Sequence, residues 1–175
     1  MRTEGFTLLE LLVAMTVATI LLTVGVPSFF RMIAENQRLT NSAEFFSALI
    51  YARSEAIARN NEVVLCASSD ETTCGSDAAW HEGWIIYANL DRDSAAPEPD
   101  AGETLLRTHG PLDGDFTLTS DDFPARVVYR PSGRPGDTGS FSLCAGRDGI
   151  SDRAIEVTST GRPRTASLTC GKGGG

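Results

Sequence analysis

The feature that most constrains this chain is an apolar run from Phe6 to Phe30, 25 residues that contain one charged side chain, Glu10. At about 1.5 Å per residue the run is long enough, as a helix, to cross a hydrocarbon core of about 30 Å, so it reads as a membrane segment. A carboxylate inside such a helix costs roughly 2 to 3 kcal/mol or more unless it is paired or lies near an interface, which marks Glu10 as functional. A secretory signal peptide is the plain alternative. It needs a positive leader and a small-residue cleavage site after the apolar core, whereas here Arg2 is offset by Glu4 and no such site follows. A cut after Gly5 fits better, because it leaves a new amine on Phe6 one helical turn from Glu10. The helix then carries a plus and a minus charge that a neighbouring helix can satisfy.

The segment Gly5-Phe6-Thr7-Leu8-Leu9-Glu10 resembles the prepilin peptidase motif of type IV pilins and of the pseudopilins of type II secretion. The resemblance implies that a prepilin peptidase cleaves after Gly5 and N-methylates Phe6. It also implies that Glu10 pairs with an adjacent subunit's N-terminus during filament assembly, so that other pilin subunits are partners. Residues 1–5 are then a leader peptide and 6–30 the transmembrane and assembly helix. Before assembly the protein is expected as a single-pass inner-membrane protein with a periplasmic head, and afterwards in a pilus at the cell surface.

Within the run, Pro27 lacks a backbone donor and crowds the carbonyl of Thr23, and Gly25 loosens the same turn, which predicts a kink or local melting. From Arg31 the pattern turns amphipathic. Leu39, Ala43, Phe46, Leu49, Ile50, Ala56 and Ile57 fall at helical spacing and predict the face that packs on a sheet, with Asn60-Asn61 as the stop. Short runs rich in branched and aromatic residues predict strands at 63–67, 84–88, 104–108, 116–119, 126–129, 140–144 and 154–159, with no second helix. The expected fold class is therefore α+β: a long N-terminal helix, kinked near Pro27, whose amphipathic half (31–61) packs on an antiparallel β-sheet head (62–175). The type IV pilin fold has this form.

Net charge is −8, but it is unevenly spread: residues 1–61 balance, 62–125 carry −12, and 126–175 carry +4. Seven of the eight bases in the last third are arginines, the side chain suited to bidentate phosphate contacts. Cys66, Cys74, Cys144 and Cys170 form an even set in the part expected outside the membrane, which predicts two disulfides. Three connectivities are possible. The pairing Cys66–Cys74 with Cys144–Cys170 is preferred because each bond closes one local loop, worth about 3 kcal/mol in the loop-entropy model. The rival reading is zinc, but no Cys-x-x-Cys occurs and His81 and His109 are not beside the cysteines, so no metal is expected. Asp91-Arg92-Asp93 lacks the glycine and terminal glutamate of a calcium loop. Trp80 and Trp84 read as core residues beside a strand start rather than as a stacking site. No nucleophile motif accompanies the histidines and no phosphate-cradling glycine loop is present, so neither an enzyme nor a cofactor is expected.

Gly161-Arg162-Pro163-Arg164 is the most informative local feature. Residues two apart share one side of an extended segment, so Arg162 and Arg164 would form a small fork for an anion, with Gly161 permitting a tight turn and Pro163 fixing one dihedral. The bland alternative is a solvated turn whose arginines pair with the acidic middle of the chain. Tyr51-Ala52-Arg53-Ser54-Glu55-Ala56-Ile57, Cys66, Gly83-Trp84-Ile85-Ile86-Tyr87 and Thr160-Gly161-Arg162-Pro163-Arg164 resemble the GspH/FimT/FimU branch of the pilins over nearly the whole chain. A GRxR motif at this position resembles FimT-type minor pilins, which implies DNA binding for natural transformation through Gly161, Arg162 and Arg164. Arg134 in Ser132-Gly133-Arg134-Pro135, with Arg130 and Arg126 near it in sequence, is a second candidate contact, an ordinary exposed turn being the preferred account of that segment, and Lys172 is a peripheral candidate. No aromatic is interleaved with these bases, against a single-strand stacking platform. The alternatives are a FimU-like priming subunit or a GspH-like pseudopilin without DNA binding.

The first expectation is testable at the N-terminus. Mass spectrometry of the native protein should find Phe6 as the first residue, and Glu10→Ala should abolish incorporation into filaments. Retention of residues 1–5 together with normal incorporation of the variant refutes the pilus reading.

Overall fold

The structure, a computed structural model, describes residues 7–75, 79–90, 92, 99, 102–147 and 149–171. Helix α1 (Leu8–Arg59) opens at Thr7, whose hydroxyl accepts the Glu10 amide at 3.3 Å, and closes at Asn60 in the left-handed conformation (φ 52°). It is one helix throughout. It runs on through Gly25 and Pro27, so the expected melting does not occur there. Every residue from Thr7 to Ile33 is exposed, and among the described residues α1 alone is long and apolar enough to cross a membrane. Such a surface is stable in lipid, not in water.

Eight strands follow: β1 (Glu62–Ala67), β2 (Trp84–Asn89), β3 (Thr104–His109), β4 (Phe116–Thr119), β5 (Arg126–Tyr129), β6 (Gly139–Ala145), β7 (Asp152–Val157) and β8 (Pro163–Leu168), with a 3₁₀ turn at Trp80–Glu82. They form two antiparallel four-stranded sheets, ordered β3-β2-β1-β5 and β4-β6-β7-β8, where the sequence pattern suggested one. The chain leaves the first sheet to lay down β4 and returns with β5 beside β1 before completing the second sheet. Strand pairing of this kind is non-local and leaves no mark in the alternation of each strand. Strand β8 also differs from expectation. No strand is expected beyond 159, although Arg162 and Arg164 read as an extended segment; proline is tolerated as the first residue of a strand, and that is where Pro163 sits.

Helix α1 packs on both sheets, and its buried face is Ala34, Arg38, Asn41, Ser42, Phe45, Ala48, Leu49, Ala52 and Ala56. Of the seven expected core residues only Leu49 and Ala56 lie on that face. Leu39, Ile50 and Ile57 are each nearly half exposed, Ala43 is exposed, and Phe46 packs at the margin. The apolar stripe misled because the true seam contains Arg38, Asn41 and Ser42, whose polar groups hide its period. Asn41 is accommodated by donating to the Asp113 carbonyl at 2.9 Å. The seam is centred on Phe45, fully buried, whose ring meets Trp80, Trp84 and Phe141 edge-on at 5.6, 5.1 and 4.6 Å.

Disulfides join Cys66 to Cys74 and Cys144 to Cys170. The first ties residues 68–75 over a small second cluster on the outer face of the first sheet, formed by Val64, Cys66, Ile85 and Tyr87. Within that loop Asp70 accepts from the amides of Thr73 and Thr72 and the hydroxyls of Thr73 and Ser68. Those bonds, the backbone ones first, hold its carboxyl well below the usual carboxylate range, so the loop keeps them until strong acid protonates it.

Phe45→Ala should cost about 3–5 kcal/mol in chemical denaturation of the detergent-solubilised protein. Leu39→Ala, on the face the sequence pattern favoured, should cost under about 1 kcal/mol.

Candidate functional site

Two hairpin tips meet at the end of the head. After β5 the chain turns through Arg130 to Arg134: the Gly133 amide donates to the Arg130 carbonyl at 2.8 Å, the Arg130 amide to the Arg134 carbonyl at 2.9 Å, and Tyr129 bridges Pro135. Between β7 and β8 it turns through Thr158 to Arg162. Here the Gly161 amide donates to the Thr158 carbonyl at 2.8 Å, and the Thr158 hydroxyl to the Arg162 carbonyl at 2.9 Å.

The tips touch through their glycines. Gly161 is buried at φ 77°, and a Cβ there would lie 2.0 Å from the Gly133 carbonyl oxygen. No side chain fits that gap. Arg53 of α1 completes the junction by donating from Nε to the same oxygen at 3.0 Å. Beneath it, the Tyr129 hydroxyl is buried with no partner among the described residues. Burial pushes this phenol up, the Arg53 charge opposes that in part, and Tyr129 stays neutral.

This junction presents arginines on one end of the head. Arg162 and Arg164 are both exposed with Pro163 buried between them, and Arg130 and Arg134 are exposed on the neighbouring tip. None of the four forms an ion pair with any described residue, so the described acids of the middle of the chain do not neutralise them there. Guanidinium groups left in this state are available to phosphate or carboxylate. One opposing charge lies close: Arg164 is the register partner of exposed Glu156.

The second disulfide lies at the opposite end of the second sheet from these tips. Cys170 follows β8 and Cys144 lies on β6, so the bond spans β7, and Asp152 at the start of β7 accepts the amides of Ala145 at 2.9 Å and Cys170 at 2.8 Å. Cys144, Asp152 and Cys170 lie close enough to suggest a metal site, but the two sulfurs are bonded to each other and the carboxylate is occupied by the amides.

At the other end, Glu10 is exposed in the first turn of α1, while Gly5, Phe6 and Lys172 lie outside the described residues. Arg53 is the residue that sequence reasoning left without a role. The pair of glycine-plus-arginine turns, Gly133-Arg134 and Gly161-Arg162, was the available signal, but only the fold sets one against the other.

Residues 41–161 match the model of the type II transport protein GspH family, and residues 1–26 match the prokaryotic N-terminal methylation motif. Among curated proteins none matches in sequence. Among solved structures, the crystal structure of the Pseudomonas aeruginosa type IV minor pilin FimU is similar, with a TM-score of 0.57 and 21% identity over 75% of this chain and 89% of that one. A second crystal form of FimU gives 0.54 and 21%, over 73% and 91%. The minor pseudopilin EpsH of the Vibrio cholerae type 2 secretion system gives 0.49 and 12%, over 74% and 94%. The fold is the type IV pilin fold.

Gly161→Ala forces both a positive φ and a backbone clash. It should destabilise the protein by about 2 kcal/mol or more, read as a lowered Tm. Gly133→Ala meets the flexible Cδ1 of Ile57 at 2.6 Å but also sits at positive φ (72°), and it should cost less.

Proposed function

The chain belongs to the family of the type II transport protein GspH, and from that premise we propose that it is a minor pilin that binds extracellular DNA for natural transformation. Processing after Gly5, N-methylation of Phe6 and pairing of Glu10 with a neighbouring N-terminus are part of this reading, with a prepilin peptidase and the other filament subunits as partners. The inner membrane holds the subunit before assembly, with the head in the periplasm.

The observation that supports DNA binding is the junction of the two turns, which puts four exposed arginines without ion partners among the described residues on one end of the head. Arg162 and Arg164 make phosphate contacts, Arg130 and Arg134 extend them, and Gly161 and Arg53 hold the two tips together. Contacts to phosphate carry no base information, so sequence preference is small. Neutralising two to four phosphates gives a salt slope of roughly −2 to −4, and copies along a filament add avidity.

One observation favours a second reading. Glu156, the cross-strand partner of Arg164, repels phosphate at that position and offsets part of the arginine's charge, which suits a structural minor pilin or pseudopilin.

A gel-shift titration of the full-length protein in detergent separates the two. On the DNA reading, Arg162→Gln with Arg164→Gln weakens binding at least about tenfold and lowers the salt slope by about 2. Glu156→Gln strengthens binding. Unchanged affinity in the double variant, or no saturable shift by the native protein, overturns DNA binding at this site.

A further inference from the structure

Arg38 stands on the buried face of α1, 5% exposed, between Ala34 on one side and Asn41 and Ser42 on the other. Its Nη2 donates to Glu35 at 2.6 Å, but its Nε is buried with no partner among the described residues. A buried guanidinium donor left unmade is costly, and a chain that keeps one on a helix–sheet seam has a use for it.

Arg38 lines an open cleft of about 310 Å³ whose other walls are Ser151, Asp152 and Arg153 at the start of β7 and Thr165, Ala166 and Ser167 of β8. Arg153 and Ser167 are register partners, as are Ile155 and Thr165, so Arg153, Thr165 and Ser167 lie on the face of the second sheet that carries buried Ile155. The Arg153 guanidinium has no hydrogen bond or ion pair with any described residue. The one carboxylate in the lining, Asp152, already accepts two backbone amides.

From this geometry we propose that the cleft is a binding site for a small oxyanion of phosphate or carboxylate type. The guanidinium groups of Arg38 and Arg153 hold it, and the hydroxyls of Ser151, Thr165 and Ser167 donate around it. The site is separate from the arginine tips. Arg38 and Arg153 lie on α1 and at the start of β7, whereas Arg162 and Arg164 lie at the opposite end of β8 from Ser167. Its ligand is a solute rather than a lipid headgroup. Arg38 is eight residues past Phe30, about 12 Å along the helix, while the headgroup layer is only about 5–7 Å deep.

The test uses the full-length protein in nanodiscs of zwitterionic lipid, with inorganic phosphate titrated against chloride at matched ionic strength and Tm as the readout. A saturable rise in Tm is expected, with half-saturation displaced at least about tenfold in Arg153→Gln. Arg38→Met, which replaces the buried charge by an apolar side chain, should keep or raise the basal Tm while losing the response. Arg162→Gln with Arg164→Gln should leave the response intact, so the DNA reading and this one fail independently. No saturable response, or a response retained in Arg153→Gln, overturns the site. A stabilisation seen only in phosphatidylglycerol nanodiscs without added phosphate overturns the solute assignment.

Discussion

The contact on which the rest of this structure depends is the seat of Phe45. A single helical side chain meets Trp84 of one sheet, Phe141 of the other and Trp80 of the turn between, all edge-on, so helix and both sheets share one aromatic joint. Trp80 is fixed in turn by its indole N–H, which donates to the Phe123 carbonyl at 2.8 Å, and Phe123 stacks on Phe141 at 5.2 Å. Edge-on rings add to the area they bury, so this joint contributes more than its volume. Because the second half of α1 is held this firmly, the first half can stand wholly outside the head and offer its apolar surface to a membrane or to other helices.

The same anchoring makes the far end of the head a defined surface rather than a pair of loose loops. The Gly133 carbonyl is shared between the space left by Gly161 and the Nε of Arg53, so helix, β5–β6 turn and β7–β8 turn are locked at one oxygen atom. Arginines presented on such a frame lose less conformational freedom on binding than they would on a free tail. Their local charge also counts for more than the net −8 of the chain, since exposed charges beyond about 8 Å are largely screened at physiological salt.

Legibility followed the range of the interactions. The long helix, its exposed apolar half and its end at Asn60 were readable because they rest on local periodicity and on one residue's tolerance of positive φ. The buried face of the helix was misread, since Leu39, Ile50 and Ile57 form a cleaner apolar stripe than the seam that the sheets cover, and Arg38 and Asn41 look like surface residues until the cleft and the Asp113 carbonyl are in place. Strand β8 was missed because Pro163 breaks most strands and is harmless at the first position of this one. Of the candidate site, the Arg162 and Arg164 fork was visible as a spacing, whereas the roles of Arg53 and Gly133 were not, because each depends on a partner about 30 to 110 residues away in sequence.

By itself, then, the sequence determined an apolar helix with a lone acid near its start, an α+β head of short strands, an even set of cysteines and a C-terminal third rich in arginine. Each of these is a property of neighbouring residues, and short-range sterics and solvation decide it. Only the tertiary structure decided that the strands divide into two sheets, that one helix face and not its more apolar neighbour is covered, that two glycine turns close on each other, and that Arg38 lines a cleft with Arg153. Those are choices among long-range closures of similar local energy. They are settled by how the Phe45 joint, the two disulfides and the close approach of Gly161 to Gly133 can be satisfied together.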